Sequence, residues 1–99
     1  MLEIKYHPKA LAEAFRTADY YDRQEKGLGA QFFDELDAAV GRMREDPLRS
    51  RADSDGVRSW RLRRFKFRIY YLIDPNRVRI LAVADLRRRP GYWRPRVDD

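Results

Sequence analysis

Hydrophobic residues recur along the chain with two different periods. After a short alternating stretch at residues 2–6, apolar side chains return every three to four positions over residues 9–26 and again over residues 28–43. This spacing lines one face of a helix, so the pattern predicts two amphipathic helices. Pro8 suits the first turn of the first helix, and Gly27 suits the short joint that would make the pair an antiparallel hairpin.

From residue 57 onward the pattern changes to alternation typical of strands. Three stretches rich in aromatic and β-branched residues, at residues 57–65, 66–73 and 77–85, predict three strands. The last two are separated by Asp74-Pro75-Asn76, a turn-forming sequence. With the first strand at residues 2–6 the order is βααβββ. We therefore predict one α+β domain over residues 1–99, an antiparallel β-sheet with the helical hairpin packed on one face.

Alternation along the strands predicts two unlike faces of the sheet. If Ile73 pairs with Val78 across the turn, the helix-covered face is apolar and the opposite face is basic. The predicted apolar face comprises Phe67, Ile69, Tyr71, Ile73, Val78, Ile80, Ala82 and Ala84. The predicted basic face comprises Lys66, Arg68, Tyr70, Leu72, Arg79, Leu81, Val83 and Asp85, with Arg61 and Arg63 from the preceding strand. We expect this basic face to be bare.

Charge strengthens this expectation because it is unevenly distributed. Residues 57–99 hold thirteen Lys and Arg against four Asp and Glu, whereas residues 1–56 hold nine against twelve. The net charge of +6 therefore comes from the second half of the chain. A basic field raises the encounter rate with polyanions, so the partner is expected to be a nucleic acid or an acidic protein segment.

Several classes of chemistry are disfavoured by composition. The chain has no cysteine and one histidine, His7, which stands beside Pro8 where local capping or exposure is its expected role. No cluster of residues has metal-ligand spacing, so we expect no metal and no cofactor. No apolar run approaches the roughly 20 residues that cross a bilayer, and no secretory leader is evident. We expect a cytoplasmic protein with no membrane partner.

The C-terminal stretch DLRRRPGYWRPR combines arginines with two large aromatic residues. Tyr92 and Trp93 are costly to leave in water, and Pro90-Gly91 provides a sharp turn, so we expect this stretch to fold back onto the domain.

The chain resembles the RelE/ParE superfamily of toxins from bacterial type II toxin-antitoxin systems. Three motifs carry the resemblance: LGAQFFDELDAAV in the second helix, WRLRRFKFRIYYLID in the strands, and RVRILAVADLRRRPGYW near the end. The resemblance covers nearly the whole chain, from Tyr6 to Trp93. The resemblance implies a growth-inhibiting, plasmid-stabilising toxin, neutralised by a cognate antitoxin and able to form a hetero-oligomer with it.

The superfamily contains two kinds of activity, and the resemblance assigns residues to each. A RelE-like ribosome-dependent mRNA endoribonuclease would use Arg68, Arg87 and Tyr92 as catalytic residues. A ParE-like toxin would instead bind DNA gyrase without catalysis. We favour the ParE-like interpretation, because the RelE tyrosine position falls on a tryptophan here. A general basic nucleic-acid-binding module is a third interpretation. Expected target-binding residues are Arg61, Arg63, Tyr70, Arg89 and Trp93.

Overall fold

The computed structural model describes residues 2–99, and it confirms the predicted order of elements. The order is strand β1 (Glu3–Tyr6), helices α1 (Pro8–Gln24) and α2 (Leu28–Glu45), strands β2 (Arg58–Arg61), β3 (Phe67–Ile73) and β4 (Arg77–Asp85), and a one-turn 3₁₀ helix at Arg94–Arg96. The second strand is shorter than its predicted range, because residues 63–66 bend the chain into β3. Within residues 2–99, neither α-helix is both long and apolar enough to cross a membrane.

The four strands form one mixed sheet in the order β1-β4-β3-β2. Strands β2, β3 and β4 are antiparallel neighbours as predicted, whereas β1 lies parallel to β4. A parallel pair needs a long crossover, and the helical hairpin begins that crossover immediately after β1. The hairpin packs on one face of the sheet, as its apolar stripes require.

Capping and small residues hold the hairpin together. The His7 side chain caps α1 by accepting a hydrogen bond of 3.0 Å from the Lys9 backbone N–H, which confirms the predicted capping role. At the start of α2, the Gly29 N–H donates to Asp22 at 2.8 Å. A Cβ on Gly29 would lie 2.5 Å from the Ala18 carbonyl oxygen, so only glycine allows the two helices to approach this closely.

The helix-side core lies between the hairpin and the sheet and is built around aromatic rings. Phe32 is fully buried, and its ring lies 5.3–5.8 Å from the rings of Tyr21, Phe65 and Phe67. Ile69 and other strand residues complete this core from below. Close aromatic pairs of this kind stabilise a fold beyond the area they bury.

A bulge in β4 changes which residues face the helices. The predicted pairing of Ile73 with Val78 is confirmed, but Tyr71 pairs with Ile80 and Tyr70 with Ala82, so Leu81 is an extra residue. An extra residue inverts the alternation beyond it. Val83 therefore joins the helix-side core, whereas Leu81 and Ala82 face the other side. The predicted positions of Val83 and Ala82 were wrong for this reason, and Ala84 and Asp85 change sides with them.

The second face of the sheet is covered by the chain's own end. Residues 86–99, the C-terminal segment, fold back across it and bury a second apolar cluster. This cluster comprises Val57, Leu81, Ala82 and Trp93, with Tyr70, Leu72, Tyr92 and Val97 packed against it. The expectation of a bare basic face was therefore wrong over most of its area, because the bulge adds Ala82 to Leu81 on this face and Trp93 packs against them. The expectation that the segment folds back is confirmed.

The helix contact at Gly29 generates a stability prediction. We expect Gly29→Ala to lower the free energy of unfolding by about 1–3 kcal/mol, because the new methyl group meets backbone that cannot move away. Gly41, also within α2, has open space around its Cβ position, so Gly41→Ala should raise the same quantity by about 0.5–1 kcal/mol. Urea denaturation followed by circular dichroism measures both, and equal effects at the two positions would contradict the packing argument.

Candidate functional site

A buried carboxylate on α1 accepts a hydrogen bond from the part of β4 that has no neighbouring strand on one side. The pairing of β1 with β4 ends at Tyr6 and Ile80, so β4 has no strand neighbour on that side further along. Glu13, only 5% exposed, takes the place of a strand, and its Oε1 accepts a hydrogen bond of 3.0 Å from the Val83 backbone N–H. A buried N–H left without an acceptor would cost roughly 1–3 kcal/mol.

The same carboxylate binds the end of the chain. Arg96 donates to both Glu13 oxygens at 3.0 Å each, and to the Leu81 carbonyl at 2.9 Å. Tyr92 donates its hydroxyl to Glu13 Oε2 at 2.8 Å. Arg96 is 9% exposed, so neither charge of the pair is compensated by water if the other is removed. We refer to Glu13, Tyr92 and Arg96 as the Glu13 clasp.

The clasp makes Tyr92 a fixed proton donor. Two guanidinium groups contact its ring, with Arg88 Cζ at 3.8 Å and Arg96 Cζ at 5.1 Å from the ring centroid. Burial, and then the hydrogen bond to Glu13, raise the pKa of Tyr92 well above its ordinary value. The Tyr92 hydroxyl proton is therefore directed to Glu13, and burial with this hydrogen bond favours the neutral phenol.

Trp93 and Tyr70 are packed together beneath the C-terminal segment. Their ring centroids are 5.0 Å apart, and Trp93 is 3% exposed. The Arg94 Cζ lies 5.2 Å from the centroid of the Trp93 ring. The Arg94 guanidinium also donates a hydrogen bond to Asp55, in the loop before β2. These two predicted target-binding residues therefore stabilise the covered face, and only the half-buried Tyr70 retains some exposure.

Two arginines lie on this face outside its apolar cluster. Arg61 and Arg68 are direct cross-strand neighbours, and both alternate with residues of the helix-side core, so their side chains share the opposite face. Arg61 is exposed and Arg68 half-buried. Across residues 2–99, no carboxylate forms an ion pair with either guanidinium. Like charges directly opposite each other destabilise a sheet, so the pair favours an external anion.

Arg87 lies on the other side of the sheet, close to α1. Its guanidinium forms a two-point contact with Asp85, at 3.0 Å for Nε to Oδ1 and for Nη2 to Oδ2, while its side chain is 91% exposed. These hydrogen bonds hold the pKa of Asp85 below its usual range. A cleft next to α1 is lined by Arg87 together with Tyr20, Tyr21 and the buried Glu13. Arg87 is therefore a surface group, already partnered by a carboxylate.

The structure does not bring the RelE-like set together. Arg68 is on the face opposite the helices, Arg87 is on the helix side, and the Tyr92 hydroxyl is directed to Glu13. The other two expected target-binding arginines, Arg63 and Arg89, are exposed in loops.

Sequence reasoning missed Glu13 and Arg96. The signal for the first was a carboxylate at a helix position between two fully buried residues of the apolar stripe, Ala10 and Ala14. A charge placed there needs a buried partner of opposite sign. Nothing local identified that partner as Arg96, which follows 83 residues later.

Metal ligands are not clustered in the part of the chain that the structure describes. Among residues 2–99, no three His, Cys, Asp or Glu side chains are placed to share an ion.

One of three comparisons with known proteins identifies a family, and a second identifies a shared fold. The family model described as "ParE toxin of type II toxin-antitoxin system, parDE" matches residues 4–90. Among solved structures, the chain is similar to one from the "Chromosomal ParDE TA system from P. aeruginosa", with a TM-score of 0.76 and 18% identity. That match covers 86% of this chain and 96% of the other, and at this identity it shows a shared fold. No curated protein gives a significant sequence match.

The Glu13 clasp generates a prediction about stability. Glu13→Gln should lower the free energy of unfolding by about 3 kcal/mol, because it leaves the charge of Arg96 buried without a counter-charge. The exposed pair Asp19–Arg23 provides the control, and Asp19→Asn should cost less than about 1 kcal/mol. The double variant Glu13→Gln/Arg96→Met should be more stable than Glu13→Gln alone, as measured by urea denaturation. Equal losses at Glu13 and Asp19 would contradict the assignment.

The raised pKa of Tyr92 generates a prediction about pH. A phenol whose pKa is higher in the folded state stabilises the fold fully below its unfolded pKa of about 10, and this contribution is lost as the pH rises further. Wild type should therefore exceed Tyr92→Phe in unfolding free energy at pH 8, and the difference should shrink by pH 11. The other tyrosines are present in both proteins, so their contributions to the pH dependence of the unfolding free energy cancel. A difference that stays constant with pH would argue against the bond to Glu13.

Proposed function

The chain belongs to the ParE toxin family, and from this premise we propose that it arrests bacterial growth by binding DNA gyrase in the cytoplasm. A cognate antitoxin is proposed to neutralise it within a hetero-oligomer. The family assignment supports the toxin-antitoxin context, and the resemblance noted in the sequence supplies gyrase as the target. The proposed mode of action is binding without catalysis.

The observation that carries this proposal is the uncompensated Arg61–Arg68 pair. Both side chains lie on the face opposite the helices, outside the apolar cluster that the C-terminal segment covers. Guanidinium groups recognise carboxylates and phosphates through paired hydrogen bonds, so this position suits an acidic surface of a protein bound to DNA. Arg63 and Arg89 are exposed in loops and extend the candidate contact as a basic rim.

The state of the other predicted residues supports binding over cleavage. A nuclease of the RelE type would need Arg68, Arg87 and a reactive tyrosine around one scissile phosphate. Here the Tyr92 hydroxyl donates to a buried carboxylate, and Arg87 is paired with Asp85. Tyr70 and Trp93 are proposed to act indirectly, because their contact holds the C-terminal segment against the sheet.

Induced expression in bacteria tests the proposal. We expect wild type to stop growth with early loss of DNA synthesis, while translation initially continues, and the purified chain to inhibit supercoiling of relaxed plasmid by gyrase. Arg61→Glu/Arg68→Glu should lose both effects, since two attractive charges become repulsive. The double variant Arg23→Glu/Arg51→Glu changes the net charge equally at exposed positions elsewhere and should retain them.

Tyr92→Phe separates binding from cleavage. It should keep growth arrest if the chain acts by binding, provided that its circular dichroism shows a folded protein. Early loss of translation with codon-positioned mRNA cuts, abolished by Tyr92→Phe, would instead support the endoribonuclease. Salt-sensitive binding to any nucleic acid without growth arrest would support the general binding module and overturn both toxin interpretations.

A further inference from the structure

A small cavity of about 140 Å³ lies where the end of β1 pairs with the start of β4. Its basic lining residues are Lys5, His7, Arg77 and Arg79. The three that belong to strands alternate with residues of the helix-side core, so their side chains lie on the second face. A water molecule takes up about 30 Å³, so the cavity has room for one compact group such as a phosphate. We refer to it as the basic cavity.

The cations around the basic cavity are only partly compensated. Arg77 and Arg79 share one carboxylate, because their Nε atoms lie 3.3 and 2.7 Å from Asp74 Oδ2. Lys5 is exposed, and among residues 2–99 no carboxylate forms an ion pair with it. The three cations therefore have one bonded carboxylate between them, and the positive field that remains attracts a further anion.

An internal anion already lies at the edge of the basic cavity. His7 Nδ1 accepts a hydrogen bond from the Lys9 backbone, so the ring proton is on Nε2 and is donated to Asp99 Oδ2 at 2.9 Å. The Asp99 side chain is 56% exposed. A contact as exposed as this contributes little to stability, so an external anion can replace the carboxylate without disturbing the fold.

We propose that the basic cavity binds a phosphate of the DNA backbone, held by Lys5 and Arg77. The Nε2–H of His7, which donates to Asp99 in the free chain, would then donate to the phosphate. The inference rests on the proposed function, because gyrase acts on DNA and the chain would meet the enzyme and its DNA together. It adds a direct contact with the DNA to the protein contact proposed for the arginine pair.

The position of the basic cavity on the sheet allows both contacts at once. Arg79 pairs with Leu72, and Arg68 lies four residues earlier on the same strand, which is roughly 13 Å at about 3.3 Å per residue. The cavity and the Arg61–Arg68 pair are thus separate positions on one face. A protein surface and the DNA bound to it need to lie only this far apart for the chain to contact both.

A DNA phosphate fits the basic cavity better than an acidic protein segment does. Specific protein interfaces have an apolar core surrounded by polar groups. The aliphatic strand residue in this lining, Leu81, is fully buried and offers no such core. DNA binding depends instead on Lys and Arg side chains that neutralise phosphates, and guanidinium groups bind phosphate through paired hydrogen bonds.

Fluorescence anisotropy with a labelled DNA duplex tests the proposal on the purified chain. Wild type should bind less tightly as salt rises, because each phosphate contact releases counterions. Lys5→Gln/Arg77→Gln should weaken binding at least about fivefold and reduce the slope of log K against log salt by about 0.9, the contribution of one phosphate. The concentration that half-inhibits supercoiling by gyrase should rise by the same factor.

Matched controls separate the basic cavity from general basic character. Arg16→Gln/Arg23→Gln also removes two charges, but from exposed positions on α1, and should match wild type in each measurement. Equal melting temperatures would show that both double variants are folded. Equal losses of DNA binding in the two would overturn the assignment, because only net charge would then matter.

The internal carboxylate provides a test in the opposite direction. Asp99→Asn should tighten DNA binding about fivefold, because it removes a negative charge from the edge of the cavity. Asp98→Asn changes the net charge equally, but its side chain does not line the cavity, so its effect should be clearly smaller. Equal effects of the two substitutions would contradict the proposed place of the phosphate.

Three further outcomes identify the ligand and separate the two proposals. Inorganic phosphate that binds with the same sensitivity to Lys5→Gln/Arg77→Gln, without duplex binding, would show a small-anion site and overturn the DNA assignment. Polyglutamate that binds more tightly than the duplex would also overturn it. If wild type inhibits gyrase but does not bind the duplex, this inference fails and the proposed function stands. Duplex binding without growth arrest would overturn the proposed function and leave the phosphate site standing.

Discussion

One buried carboxylate holds together parts of this domain that are far apart in sequence. Glu13 accepts hydrogen bonds from the backbone of Val83 and from the side chains of Tyr92 and Arg96, so it joins α1, β4 and the C-terminal segment. A charge in such a position is unfavourable unless all its acceptor sites are used, which explains why three different donors converge on it. Removing any one donor therefore weakens the contacts that Glu13 makes among α1, β4 and the C-terminal segment.

The clasp determines what the sheet presents to solvent. By fixing the C-terminal segment across the second face, it buries Trp93 on Tyr70 and gives β4 an almost continuous run of buried residues. Arg61 and Arg68 lie on that face outside the apolar cluster, with Arg61 exposed and Arg68 half-buried. The arginines of the chain thus differ in how far they are already bonded. Arg96 is bonded within the fold, whereas no carboxylate among residues 2–99 forms an ion pair with Arg61 or Arg68, and this difference distinguishes a candidate binding site from general basic character.

The local sequence pattern was sufficient to predict the helices and strands, but not the arrangement of the candidate site. Helix periodicity predicted α1 and α2, and the turn at Asp74-Pro75-Asn76 predicted the pairing of Ile73 with Val78, because each depends on neighbours in sequence. The bulge at Leu81 leaves no comparable signal in the sequence. Ala82, Val83 and Ala84 are all apolar, so alternation does not show which of them face the helices. One extra residue was enough to move Val83 and Asp85 to the other face.

The covering of the second face by the C-terminal segment was not predicted, for a related reason. Alternation identifies which residues share a face, but it does not say what lies on top of them. The C-terminal segment was expected to fold back because of its two aromatic rings, yet its position depends on the ion pair of Glu13 with Arg96, separated by 83 residues. Long-range pairing of this kind leaves no periodic trace. The clue that does exist is the local conflict of a carboxylate within an alanine stripe.

The clasp also connects the two sides of the sheet. Glu13 lines the cleft next to α1, and through Tyr92 and Arg96 it holds the C-terminal segment against the opposite face, which also carries Arg61 and Arg68. A buried, fully bonded network changes state cooperatively, because loss of one bond leaves the remaining charges unsatisfied. A change at Glu13 on the helix side therefore alters how the C-terminal segment is held on the face that carries the arginine pair.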